Sequence, residues 1–161
     1  MITIRKSLSD DTNQIWKIFQ SVVRGGDTYA FAPNITKEEA LSYWMGVGKH
    51  CYVAEYENTI AGTYIIKDNQ PGLGSHIANA SFMVSPKFQG KSIGKTMGQH
   101  ALIEAKTLGY AAMQFNLVIS TNLVAINLWQ KLGFKIIGTI PNAFKHQQYG
   151  MVDAHIMFRE L

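Results

Sequence analysis

The stretch VSPKFQGKSIGKTMG, Val84 to Gly98, decides how the chain is read. An apolar run ends before Pro86, glycines and lysines alternate, and Ile93, Met97, Ala101, Ala105 and Leu108 then recur at helical spacing until Gly109. A strand that enters a helix through a glycine turn presents unpaired backbone N–H groups at the positive end of the helix dipole, a ready seat for phosphate oxygens. Gly90 and Gly94 let the backbone come close, so that Gln89, Gly90, Lys91, Ser92, Ile93 and Gly94 can wrap a pyrophosphate while Lys87, Lys91 or Lys95 meets further charge. An ordinary turn with solvated lysines is the other reading of the same residues. Neither the Walker spacing Gly-x-x-x-x-Gly-Lys-Ser/Thr nor Gly-x-Gly-x-x-Gly is met, so phosphate binding is expected without nucleoside triphosphate chemistry.

Outward from this loop, strands and helices alternate. Residues 2 to 7 read as a strand, and Ile15, Ile18, Phe19 and Val22 mark a helix after Ser9, Asp10 and Asp11. A capping-box pattern from Thr36 to Glu39 starts a second helix. Residues 51–56, 59–67 and 76–84 read as an antiparallel meander with a tight turn at Asn58. Beyond the third helix come strand 112–119, helix 122–132 closed by Gly133, and strands 134–140 and 152–159. The predicted order is β-α-α-β-β-β-α-β-α-β-β, within one domain spanning 1–161.

Composition narrows the function classes. The chain has 161 residues, 47% of them hydrophobic and 16% charged, which is globular rather than disordered. The net charge of +4 comes from scattered basic residues whose only local cluster is Lys87, Lys91 and Lys95, which suits a small polyanion and not a nucleic acid. No apolar run reaches the roughly 20 residues of a membrane span and no signal core opens the chain, so a cytoplasmic protein is expected. The only cysteine, Cys51, opens a strand-like run and reads as a small buried residue, with a nucleophilic thiol as the alternative. The five histidines show no metal-ligand spacing, and no metal is expected.

The Val84–Gly98 stretch resembles the acetyl-CoA loop of the GNAT superfamily of N-acetyltransferases, whose pattern is Gln/Arg-x-x-Gly-x-Gly/Ala. Gln89 and Gly94 fit, and Ser92 stands where the middle glycine is usual. TNLVAINLWQKLGF resembles the family's second motif in Asn122, Ala125, Leu128, Lys131, Gly133 and Phe134. The resemblance covers the whole chain and implies a mixed, mostly antiparallel seven-stranded sheet with four helices, splayed between its fourth and fifth strands. Acetyl-CoA would enter that gap, its pantetheine along Met83 and Val84 and its pyrophosphate on residues 89–95, with Asn122 beside it. Protonation of the departing thiolate falls in this family to a tyrosine whose place is taken here by Trp129, whose indole N–H can donate a hydrogen bond but not a proton; packing on a helix face is its other reading.

The loop GGDTYAF, with Asp27, Tyr29 and Phe31, lies where the family shapes its acceptor pocket and suits a small amine. With Asn79 and Asn116 it resembles more weakly the branch that acetylates proline analogues, making these asparagines acceptor or oxyanion candidates; buried, each needs a polar partner. No carboxylate stands out as a general base, and Tyr149 is the reserve partner for the thiolate. The expected activity is therefore acetyl transfer to a small amine or amino acid by direct attack, in a chain that leaves room for a homodimer. The alternative is a catalytically weak acetyl-CoA-binding sensor.

Overall fold

The computed structural model describes residues 1–161. In chain order it comprises β1 (Ile2–Lys6), α1 (Thr12–Gly25), α2 (Lys37–Met45), β2 (His50–Tyr56), β3 (Thr59–Asp68), β4 (Ile77–Val84), α3 (Ile93–Thr107), β5 (Ala112–Ile119), α4 (Leu123–Lys131), β6 (Lys135–His146) and β7 (Gly150–Glu160). The order is the expected one. All seven strands join one sheet in the sequence β1-β2-β3-β4-β5-β7-β6, antiparallel except where β4 meets β5.

Local chemistry accounts for the boundaries. The Thr36 side chain accepts from the Glu39 N–H at 3.2 Å while the Glu39 carboxylate accepts from the Thr36 N–H at 3.0 Å, the reciprocal cap that starts α2. Glu57 and Asn58 both take positive φ, 50° and 60°, the geometry that matches a two-residue turn to the twist of β2 and β3. The last hairpin departs from expectation. The strands run on to His146 and from Gly150, beyond the predicted 134–140 and 152–159, so HQQYG is a tight turn rather than part of a long loop. Pro141 does not stop β6, because β6 is the sheet's edge and the register shifts between Ile140 and Phe144 to accommodate it.

The central strands of the sheet are buried on both faces. Ile66, Tyr64 and Tyr52 face α3 and α4 with Met97, Ala101, Ala105 and Trp129, whereas Ile65, Val53 and Met83 face α1 and α2 with Ile15, Phe19, Val23 and Trp44. Alternation along β3 thus sends neighbouring residues to opposite layers, and its run of buried positions follows. Helices α3 and α4 approach closely at Gly98, where a Cβ would lie 2.7 Å from the Leu132 side chain and 3.0 Å from Trp129.

Before α1, the buried Asp11 carboxylate accepts from both terminal nitrogens of Arg5, at 2.7 and 3.0 Å, and from the Leu8 N–H at 2.7 Å. The Arg5 hydrogen bonds hold its pKa below the ordinary carboxylate value, against the upward effect of burial. A carboxylate depressed in the folded state stabilises fully above its unfolded pKa of about 3.9, and that contribution is lost as the pH falls through the folded value. Asp11→Asn is expected to cost about 1.5–3 kcal/mol at pH 7. In urea titrations from pH 7 to pH 2 the gap between wild type and variant should narrow in acid; a gap independent of pH would rule this pairing out as the cause.

Candidate active site

Strands β4 and β5 pair at only two positions, Ile77 with Ala112 and Ala78 with Met113, and then part. The gap opens into a cleft of about 1170 Å³ between the loops after α1 and β4, the first turn of α3, and α4. Where the strands separate, the Asn79 side-chain amide donates to the Gln114 carbonyl at 3.0 Å, replacing a backbone rung.

Backbone direction along β4 alternates. The N–H of Asn69 donates to the Ile77 carbonyl and that of Ser85 to the Ala61 carbonyl, so odd-numbered residues of β4 bond to β3. Phe82 and Val84 therefore turn their N–H and C=O groups to the gap, whereas Met83 turns its own to Thr63 of β3. The expected backbone pair of Met83 and Val84 is thus corrected to Phe82 and Val84, although Met83 still lines the cleft. The hydroxyl of Tyr29 takes up both groups of Phe82, accepting from the N–H at 2.8 Å and donating to the C=O at 2.5 Å. Burial pushes this phenol upward in pKa, so it stays neutral.

At the other end lies the loop that opened the sequence reading. The N–H groups of Ser92, Ile93, Gly94 and Lys95 have no backbone partner, the first bond of the turn being Thr96 N–H to the Ser92 carbonyl. Ser92 caps α3 at φ 61°, in the left-handed region where glycine is at ease, which is the physical reason glycine is usual at that motif position. Gly90 is also left-handed, at φ 77°. Gln89, Gly90, Ser92, Ile93, Gly94 and Lys95 all line the cleft, but the exposed Lys91 does not. Asn122 lines it too, and its side chain accepts from the Ala125 N–H at 3.2 Å to cap α4.

The cleft is lined in its middle by aromatic rings. Trp129, 8% exposed, lies with its ring 4.8 Å from Phe82 and 4.7 Å from Phe115, and its indole N–H makes no hydrogen bond. At the end where the strands diverge stand Asp27, Thr28, Tyr29, Phe31, Tyr43, Lys67, Asn79 and Asn116. Phe31 is wedged between α1 and α2, its ring 4.9 Å from both Phe19 and Tyr43. The Asn116 amide is held by neighbours, donating to Asn69 at 2.8 Å and accepting from Gln114 at 2.9 Å. Asp27 is the sole carboxylate of the lining, and Lys67 and Lys95 are its cations.

Tyr149 is not brought in: it is 62% exposed in the β6–β7 turn, stacked 4.7 Å from His146 and outside the cleft lining. Cys51 is buried on β2 beside Thr63 of β3, and desolvation raises its thiol pKa, so it is no thiolate in wait. Sequence reasoning missed Phe82, Thr28 and Lys67. Phe82 differs from Met83 only in strand register, and Lys67 reads as a solvated strand end until β3 is placed beside Asn79. A separate groove of about 970 Å³ lies between the end of α4 and β7, where Arg159 donates to the Leu132 carbonyl.

Comparison with known proteins agrees with this geometry. Residues 13–134 match the model of the acetyltransferase (GNAT) family. An N-acetyltransferase of Schizosaccharomyces pombe, aca1, is 38% identical over an alignment covering 81% of this chain and 71% of the relative. A GCN5-related N-acetyltransferase from Kribbella flavida superposes with a TM-score of 0.95 at 40% identity, over 99% of this chain and 98% of its own. The fold is shared at 24% identity with a phosphinothricin acetyltransferase from Sinorhizobium meliloti solved in complex with acetyl-CoA, with a TM-score of 0.85 over 99% of this chain and 88% of the other. With its split sheet, its open helix terminus and both motif segments in the cleft, the chain belongs to the GNAT acetyltransferase family and is an N-acetyltransferase.

Proposed function

We propose that the protein transfers the acetyl group of acetyl-CoA to the amine of a small molecule or amino acid, by direct attack with both substrates bound. The observation that carries this reading is the cleft itself, open backbone at one end and a narrow polar and aromatic chamber at the other. The free N–H groups of residues 92–95 and the Lys95 ammonium suit a pyrophosphate. From there Val84 and Phe82 offer gap-facing backbone along which a pantetheine amide pairs as an added strand.

Direct transfer needs a neutral amine, a donor to the carbonyl oxygen and a partner for the thiolate. The Phe82 N–H is a gap-facing donor between the two ends, and the carbonyl oxygen must compete there with the Tyr29 hydroxyl. The amine nitrogen forms the new C–N bond as the C–S bond breaks; its proton passes to water, with Asp27 as the sole carboxylate at hand. Trp129 supplies an uncommitted N–H in the middle of the cleft, suited to the departing sulfur. A thiol pKa of about 8.5 makes departure as thiolate tolerable near neutrality. The acceptor is small because the chamber is lined by short-loop aromatics and carries a single acid, with no extended anionic track for a polypeptide tail.

Release of free thiol from acetyl-CoA, measured against a panel of small amines, amino acids and peptides, tests the reading directly. Turnover with small amines is the expected result. Turnover with peptides alone refutes the acceptor class, and tight acetyl-CoA binding without turnover leaves a sensor.

Two sets of variants probe the site. A Cβ at Gly94 would lie 3.6 Å from Leu128 and 3.8 Å from Val84, so Gly94→Leu drives a branched side chain into the cofactor path. Calorimetry should show acetyl-CoA affinity falling by at least about 10-fold, the equivalent of 1.4 kcal/mol; Ser92→Gly, which relieves a left-handed serine, should keep affinity and raise stability by about 0.5–1 kcal/mol. Trp129→Phe keeps a ring and removes the N–H, and should lower kcat by about 2- to 10-fold with little change in the KM for acetyl-CoA. A kcat equal to wild type would make Trp129 a packing residue only.

A further inference from the structure

The end of the cleft where the strands diverge contains a cation with no carboxylate within salt-bridge distance. Lys67 closes β3 opposite Asn79 of β4, on the face that Ile65 shares with α1 and α2, and it lines the cleft. Its ammonium lies 5.2 Å from the centroid of the Tyr43 ring, and Lys49 sits over the same ring at 5.0 Å. An aromatic ring attracts a cation but carries no net charge to cancel it. Both ion pairs of the structure involve Arg5, so neither lysine has a carboxylate within salt-bridge distance. Two half-buried ammonium groups sharing one ring repel each other, and an anion beside them relieves that repulsion. Only Lys67 of the two belongs to the cleft.

Its polar neighbours Asn79, Asn116 and Thr28 are neutral, and Asp27, the one carboxylate of the lining, is not within salt-bridge distance of it. Asn79 is 8% exposed with its amide committed to Gln114, Asn116 is tied to Asn69 and Gln114, and the Thr28 hydroxyl is the one buried side-chain oxygen of the structure without a hydrogen-bond partner. Asn79 precedes Phe82 by three residues, roughly 10 Å of strand. A compact ligand with an anionic group at Lys67 and a nucleophile directed toward Phe82 fits between them.

We infer that Lys67 is the specificity-determining residue for an acceptor that carries a carboxylate, and that the protein therefore acetylates an amino acid in preference to a simple amine. The Tyr43 ring holds the ammonium at the wall, and the acceptor carboxylate replaces water as its hydrogen-bonding partner. The inference rests on the small-acceptor reading above and narrows it.

The test compares kcat/KM for proline and alanine with that for their carboxamides, in wild type and in Lys67→Met, Lys67→Arg and Lys49→Met. Wild type should favour the acids. Lys67→Met should lower kcat/KM for the acids by about 10- to 100-fold, the range of a charge-assisted hydrogen bond. It should change the carboxamides by less than about 3-fold and leave the KM for acetyl-CoA unaltered. Lys67→Arg should restore much of the preference, and Lys49→Met, which empties the other place on the ring, should preserve it. Equal loss for acids and carboxamides in Lys67→Met, or a wild type that turns over simple amines and carboxamides but not acids, overturns the assignment while the small-acceptor reading stands. Turnover confined to peptides overturns both.

Discussion

Everything in the cleft follows from the parting of β4 and β5 after two paired positions. A strand inside a sheet cannot simply lose its partner, because buried N–H and C=O groups without hydrogen bonds are costly. The protein meets the demand piecemeal. The Asn79 amide supplies the next rung to Gln114, and the Tyr29 hydroxyl serves both polar groups of Phe82. Rings of Phe82, Phe115, Trp129 and Phe134 fill the space that strand contact would otherwise occupy. The open edge that remains is where an extended amide ligand can add itself to the sheet.

This answer couples distant parts of the chain. Tyr29 belongs to the loop between α1 and α2, yet its hydroxyl is anchored 53 residues away on β4. That loop is thereby fixed as a wall of the cleft, with Phe31 locked between the two helices that carry it. Charge is sorted along the same axis. Lys95 and the open turn of α3 stand at one end, Lys67 and Asp27 at the other, and neutral rings lie between. Such an arrangement suits two substrates that carry their charges outward and their reacting atoms inward.

The sequence by itself determined the elements and the cofactor end. Glycine spacing, the strand before it and the helical run after it identify the Gln89–Lys95 loop from local chemistry, because a helix start is a property of consecutive residues. The Thr36 capping box and the turn at Asn58 were legible for the same reason. Ser92 stands where the family's loop usually has glycine, and its left-handed backbone shows what that position requires.

The other end of the cleft was decided only by the tertiary structure. Whether Phe82 or Met83 faces the gap depends on the hydrogen-bond register between β3 and β4, which a one-residue shift inverts and which the strand's own sequence does not state. Pro141 reads as the end of a strand until the sheet places β6 at its edge, where a register shift accommodates the missing N–H. Tyr149 lies close to the right elements in sequence but its turn points the ring at His146. Lys67 acquires its meaning from residues 24 positions before it and 12 after it, Tyr43 and Asn79, which only folding brings to the same wall. Such juxtapositions are made by long-range packing, and no local pattern encodes them.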